Sequence, residues 1–206
     1  MMTAKQLIAA FQGYLAANDG YIPNTSGETW TREKQEKATG ETVLKYGSQW
    51  IGHRVEDCSG AFVRAYRAHG LSIYHGSNRI AREYVVQLLP ISRAEPGMAA
   101  FKARKPGEKY YALPAEYRKG GKRYSGDLND YYHIGVVDTD GQHVLHCANT
   151  REGFLRSDIG QGWCAAARLK QVEYAAADSG VEGLLRTARE AIDAALARIK
   201  EGEWNT

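Results

Sequence analysis

The order of patterns along the chain predicts the α+β class, with N-terminal helices packed on an antiparallel sheet and one further amphipathic helix at the C-terminal end. Three observations carry this. Apolar residues recur at helical spacing early on, as Leu7, Ile8, Phe11 and Leu15 and again as Phe62, Val63 and Tyr66. Beyond Pro96-Gly97 the period becomes that of a sheet. Two apolar runs, His133 to Val137 and His143 to Cys147, flank Asp138-Thr139-Asp140-Gly141, which reads as a hairpin turn. Helices first and strands second argue against a wound parallel sheet.

Taken in order, Thr3 is placed to cap a helix over residues 4–17, because its side chain can accept from the free amides of the first turn. Pro23, Ser26 and Gly27 make residues 21–29 read as loop. A charged helical stretch over 32–46 is interrupted near Gly40. The spacing after Asp57-Cys58-Ser59-Gly60 predicts a helix that ends at His69-Gly70. Residues 77–88 read as a second helix ahead of Pro90, residues 98–102 as a strand after Pro96-Gly97, and 165–174 as a last strand.

Two segments stand outside this frame. Residues 104–130 form a long insertion with seven Lys/Arg, four acidic residues, four Gly and four Tyr, which reads as a substrate-facing lid. Residues 175–180 read as a linker between a main domain, 1–174, and a helix over 181–206. There Val181, Leu185, Ala188, Ile192, Ala195 and Ile199 form a short heptad seam. That seam either docks on its own domain or pairs with a second copy or a partner protein.

The bulk composition narrows the function. A net charge of +3 over 206 residues is far from a nucleic-acid footprint, though it favours loose attraction to an anionic polymer. No run approaches the apolar length of a membrane span, and the first residues do not read as a signal peptide. The expectation is synthesis in the cytoplasm without a leader. Three cysteines, Cys58, Cys147 and Cys164, are too few for a disulfide framework, with a Cys147–Cys164 bridge left open. None has the short spacing of a zinc site, so neither metal nor cofactor is expected. Thirteen tyrosines suit either a groove for an extended polar ligand or a wetted core.

Cys58 differs from an ordinary buried cysteine in its surroundings. It follows Glu56-Asp57 and opens a helix, where free amides and the helix dipole favour a thiolate. A thiolate attacks carbonyls, and a nearby imidazole can move the proton. Among six histidines, His133 is the best partner, because it begins an apolar strand after a polar run. His146, on the return strand of the hairpin, is placed to hold the second ring nitrogen of His133. His53, His69 and His143 read as surface or packing histidines, and so, less clearly, does His75.

At these residues a resemblance enters. Asp57-Cys58-Ser59-Gly60-Ala61-Phe62-Val63 resembles the nucleophile motif of the NlpC/P60 cysteine peptidases. Pro96-Gly97-Met98-Ala99-Ala100-Phe101 is similar to that family's P-G-D-L strand, with Met98 where aspartate is usual. His133-Ile134-Gly135-Val136-Val137 and Val144-Leu145-His146-Cys147 resemble its H-V-G-I-Y and V-I-H-A strands. The resemblance implies a papain-like α+β fold and a cysteine endopeptidase or amidase that cuts bacterial cell-wall stem peptides through a thioester. It implies a triad of Cys58, His133 and His146, with Tyr21, Asp57 and Ser59 as substrate-binding residues. The insertion and the missing leader resemble phage or prophage enzymes acting at the cell wall. The rival expectation is a phage tail or assembly module that keeps the fold but only binds. Arg79 and Arg82 read either as a basic rim for substrate carboxylates or as a solvated helix face.

Overall fold

The computed structural model describes residues 1–174; the expected linker and C-terminal helix lie outside the described residues. The architecture is α+β. Five short helices, α1 (Ala4–Ala16), α2 (Arg32–Glu36), α3 (Glu41–Tyr46), α4 (Gly60–Ala68) and α5 (Ser77–Arg79), accompany eleven strands. Strands β1 (Met2–Thr3), β2 (Gly20–Tyr21), β3 (Ser26–Thr29) and β4 (Arg54–Glu56) precede α4, and β5 (Val85–Pro90) follows α5. The rest are β6 (Ala99–Arg104), β7 (Asp130–Val137), β8 (His143–Asn149), β9 (Gly153–Asp158), β10 (Ala165–Leu169) and β11 (Val172–Glu173).

The main sheet has six strands in the order β5-β10-β6-β7-β8-β9, all neighbours antiparallel. A small sheet, β2-β4-β3, leads into the loop before α4. Helix α1 starts where expected: Thr3 and Gln6 cap each other's backbone in a capping box. Its buried face is Ala4, Leu7, Ile8, Phe11 and Tyr14, so Tyr14 takes the place expected for Leu15. Phe11 packs edge-on against Phe62 of α4 and Phe154 of β9, with ring centroids 4.9 and 5.6 Å apart. Phe62 is fully buried, and truncating it to alanine would cost about 3–5 kcal/mol. This aromatic cluster holds α4 against the sheet and so fixes where its N-terminus points.

Several sequence expectations are corrected here. Residues 21–29 carry strand edges as well as loop, because β4 pairs with Tyr21 on one side and Ser26 to Thr29 on the other. The stretch expected as a helix over 77–88 holds only one helical turn and a five-residue π segment before becoming β5. Val85 and Val86 are β-branched and Leu88 and Leu89 apolar, and an edge position lets one side of the strand pair with β10 while Val86 and Leu88 stay exposed. Strand β9 had no place in the sequence reading. Its polar positions Arg156, Ser157 and Asp158 dilute the apolar signal of Phe154 and Leu155.

The insertion is docked on the domain. Arg82 reaches the carbonyls of Asp127 and Asn129 and sits over the Tyr117 ring, 4.7 Å from its centroid, while Arg123 pairs with Glu83. Arg79 pairs with Glu83 and covers Tyr74. Both arginines are therefore spent on structure rather than on a substrate rim. No helix among the described residues is long and apolar enough to cross a membrane.

Candidate active site

The loop Asp57-Cys58-Ser59 joins β4 to α4 and is set by two close approaches. A Cβ on Gly60 would fall 1.9 Å from the carbonyl oxygen of Thr25, so only glycine lets α4 begin against that backbone. The Asp57 carboxylate fills the N-terminal end of the helix. Its Oδ1 accepts from the amides of Ser59 and Gly60 at 3.0 and 2.7 Å and from Ser59 Oγ at 2.9 Å. Its Oδ2 accepts from the amide of Asn24, and His75 Nε2 lies 2.8 Å from both oxygens. Gly76 donates to Ser59 Oγ.

This changes the electrostatics expected at Cys58. The helix amides that would favour a thiolate are engaged by the neighbouring carboxylate. Burial and the Asp57 charge push the Cys58 thiol up to about 12, against the pull of the Ile134, Ser59 and Cys58 amides that face the sulfur. The Cys58 N–H faces its own sulfur and, among the described residues, meets no backbone acceptor. The thiol rests neutral. Cys58 is 7% exposed, and all three cysteines are free. Cys147 is turned inward, its sulfur on the Glu56 carbonyl at 3.2 Å.

Contact with the Ile134 amide sets Cys58 beside β7, one residue from His133. The two histidines of the hairpin meet: His133 Nε2 is 2.8 Å from His146 Nδ1. Gly135 makes room for this, since a Cβ there would stand 2.9 Å from His146 Cβ and 2.8 Å from the Leu145 carbonyl. The line continues from His146 Nε2 to Ser157 Oγ at 3.0 Å, which accepts from Trp163 Nε1 at 3.2 Å. The Trp163 ring packs on both imidazoles, with centroids 5.5 and 5.1 Å away. Burial, then the Lys102 charge, pushes His133 down to about 4, opposed by Asp57. Burial, then His133 and Lys102, pushes His146 down to about 3. Both rings are neutral at pH 7.

A cleft of about 520 Å³ opens on this line, walled by Tyr21, Lys102, Tyr132, His133, His146 and Glu152 among others. Cys58 is not among the residues that line the cleft; its sulfur faces the amide of Ile134, the residue after His133. Tyr21 is near enough for the Asp57 charge, and a thiolate at Cys58 if one forms, to act on its hydroxyl, which burial already pushes well above the usual tyrosine range. Of the residues expected from sequence, Tyr21, His133 and His146 line one cleft, and Cys58 lies against the Ile134 amide next to His133. Asp57 and Ser59 lie behind it, engaged in capping. His75, Lys102, Ser157 and Trp163 were missed. His75 follows a loop with no periodicity, Lys102 and Ser157 become neighbours of the histidines only through sheet pairing, and Trp163 reaches them from the loop after β9. His53, His69 and His143 bond to local partners, Asn18 and Ala65 carbonyls and Asp140. Among the described residues no cluster of ligands could hold a metal ion.

No family model matches the chain, and no curated protein matches it. Solved structures do. The NlpC/p60 domain of the peptidoglycan hydrolase SagA is 14% identical over 81% of this chain and 99% of its own, with a TM-score of 0.47. The P60 domain of an antigen from M. avium subspecies paratuberculosis is 15% identical over 80% of this chain and 96% of its own, at 0.45. NlpC2 from Trichomonas vaginalis is 11% identical over 81% of this chain and 47% of its own, at 0.46. Over about four-fifths of its length, then, this chain is similar to solved structures of NlpC/P60 domains.

Proposed function

We propose that the chain is a cysteine peptidase of the NlpC/P60 type, cutting amide bonds in bacterial cell-wall stem peptides with Cys58, His133 and His146. The observation that carries this reading is the His133–His146 contact of 2.8 Å on an open cleft, with the Cys58 sulfur against the amide of the neighbouring Ile134. The four sequence motifs that resemble the family fall on the loop, strands and hairpin that build this site.

The hydrogen-bond line supports one arrangement of the protons. Trp163 can only donate, so Ser157 Oγ accepts from it. With His146 Nε2–H also donating to Ser157, His146 Nδ1 accepts from His133 Nε2–H, and His133 Nδ1 is left as a free base. In the opposite arrangement Nδ1 would carry the proton and could take none. As the sulfur attacks the carbonyl carbon, Nδ1 takes the thiol proton, and the Cys58 N–H receives the developing oxyanion. Collapse breaks the C–N bond, and the amine leaves with the proton from Nδ1. Water, deprotonated at the same nitrogen, then opens the thioester to a carboxylate and restores the thiol. Tyr21 lines the approach to the sulfur and would steer the acyl group. Asp57 and Ser59 would serve substrate through the shape of the loop they cap.

Loss of turbidity of purified bacterial cell walls tests the reading. Wild type should clear them, and Cys58→Ala and His133→Ala should not, with circular dichroism unchanged. Clearing by Cys58→Ala would remove the mechanism. A second reading, a domain that binds wall peptides without cutting them, is favoured by the burial of Cys58. It requires that wild type bind the peptides and leave them intact.

A further inference from the structure

We infer that Glu56, Asp19 and Arg64 form a positioning set for Cys58, closed by one proton shared between the two carboxyls, and that losing this proton sets an alkaline limit on the site. Its bearing on turnover rests on the hydrolase reading; the shared proton does not. The three residues sit where the pieces of the site join. Glu56 ends β4, two residues before Cys58, and Arg64 lies on α4, the helix that opens after Cys58. Asp19 immediately precedes β2, whose Tyr21 lines the cleft and pairs with Glu56 in parallel register. Arg64 Nη1 reaches Asp19 Oδ2 at 2.5 Å and Glu56 Oε2 at 3.1 Å, so one guanidinium ties the nucleophile loop to the cleft wall. Its stem runs past Gly27, and its guanidinium lies over the Tyr14 ring, 4.0 Å from the centroid.

The charges of this set balance only with a proton. Glu56 is fully buried and Asp19 is 2% exposed, and among the described residues Arg64 is the one cation paired with either. Asp19 also stands within hydrogen-bonding reach of Glu56. Two carboxylates repel at that separation, whereas a carboxyl and a carboxylate bond through the proton between them. With it the set is neutral, one positive charge on Arg64 against one negative charge on the pair. Burial, foremost, and the Asp19 charge raise Glu56 above the usual carboxylate range, against the pull of Arg64. The other titratable groups facing Glu56 are Tyr14 from α1, pushed up to about 12, and Cys147 from β8, raised well above an ordinary thiol, so both stay neutral. Once the proton passes to solvent, an unanswered negative charge remains in the core at the end of β4, and the Glu56–Asp19 contact turns repulsive. Cys58, two residues on, shifts with the strand end.

The test follows the side-chain carboxyls of the full chain by carbon NMR across roughly pH 5 to 10. In wild type one carboxyl, absent from the Glu56→Gln spectrum, should titrate well above the other carboxylates, and the Ser59 and Gly60 amide resonances should move with the same midpoint. Asp19→Asn should lower that midpoint by about a unit or more, since Arg64 then faces a single carboxylate. Clearing of purified cell walls reads the same event. The wild-type rate should fall about tenfold for each pH unit above the midpoint, and Glu56→Gln, whose amide can donate to Asp19 at any pH, should flatten the fall. Asp19→Asn, which leaves Glu56 in place, decides both arms if Glu56→Gln does not fold. A Glu56 carboxyl that titrates in the usual range, or Ser59 and Gly60 amides that do not follow it, would overturn the inference. So would clearing with no alkaline fall, or a fall that Glu56→Gln leaves in place. Walls left uncleared by wild type at every pH would end the hydrolase reading, and the NMR arms then decide the shared proton alone.

Discussion

His75 Nε2 lies 2.8 Å from both carboxylate oxygens of Asp57, so the residue before the candidate nucleophile is an ion-paired helix cap. Burial alone would raise the Asp57 pKa. The His75 hydrogen bond and charge, with the Gly60 and Asn24 amides, outweigh it and hold the carboxyl below its usual value. The Asp57 hydrogen bond raises His75 against the effect of its burial. The stability this pair contributes is therefore lost at both ends, as pH falls through the depressed Asp57 value and as it rises through the elevated His75 value. Asp57→Asn should flatten both limbs of the melting temperature against pH. It should also lower the Cys58 titration midpoint, read by ultraviolet thiolate absorbance, because the nearest negative charge is gone. A midpoint that stays or rises would contradict the electrostatic picture.

The neutral histidines give a second pH dependence of distinct sign. An unfolded imidazole takes up a proton near 6.5, whereas folded His133 and His146 hold out to about 4 and about 3. Between these limits the unfolded state binds more protons, so stability falls as pH drops below about 6.5 and levels off beneath the folded values. Denaturant unfolding at a series of pH values should show this fall. His133→Asn should reduce it. On the wild type, kcat/KM should rise with pH through about 4 and stay level through neutrality, with no thiolate absorbance near pH 7.

The His146 ring is placed to act through His133. His146→Ala should lower kcat by roughly 10²-fold or more with KM little changed, and His146→Asn should restore part of the loss. Ser157→Ala, one step further along the line, should act in the same direction more weakly. A change confined to KM in steady-state kinetics would move His146 from positioning the base to holding the substrate.

Gly60 carries the backbone demand of the loop. In Gly60→Ala the new methyl meets a carbonyl oxygen at 1.9 Å, and neither backbone can yield cheaply. The expected loss is about 1–3 kcal/mol in thermal unfolding, together with loss of activity as Cys58 shifts. Gly52→Ala, where nothing lies within 4 Å of the added atom, carries only the strain of a positive φ and should leave activity in place.

The class of fold and the meeting of His133 with His146 were legible because local signals carried them: a helix start after Cys58, an apolar strand at His133, and a hairpin turn that brings His146 back. What was hidden depends on pairing across the sheet or on solvent. Lys102 reads as an ordinary strand residue until the register sets it opposite His133. Ser157 and Trp163 belong to a strand and a loop with no clear period. The helix expected at 77–88 failed because an open sheet edge at β10 could accept Val85 to Pro90, a tertiary choice that spacing does not show. The thiol expected to be acidic proved the reverse, since sequence places a dipole at Cys58 but cannot show that the Asp57 carboxylate already occupies it.

Mass spectrometry of muropeptides tests the central claim, that the Cys58 sulfur and the His133 imidazole act together on a wall peptide. After incubation with wild type, fragments should appear that carry one new carboxylate and one new amino terminus, and the digest with Cys58→Ala should match untreated wall. The same new fragments from both proteins, or from neither, would contradict the account.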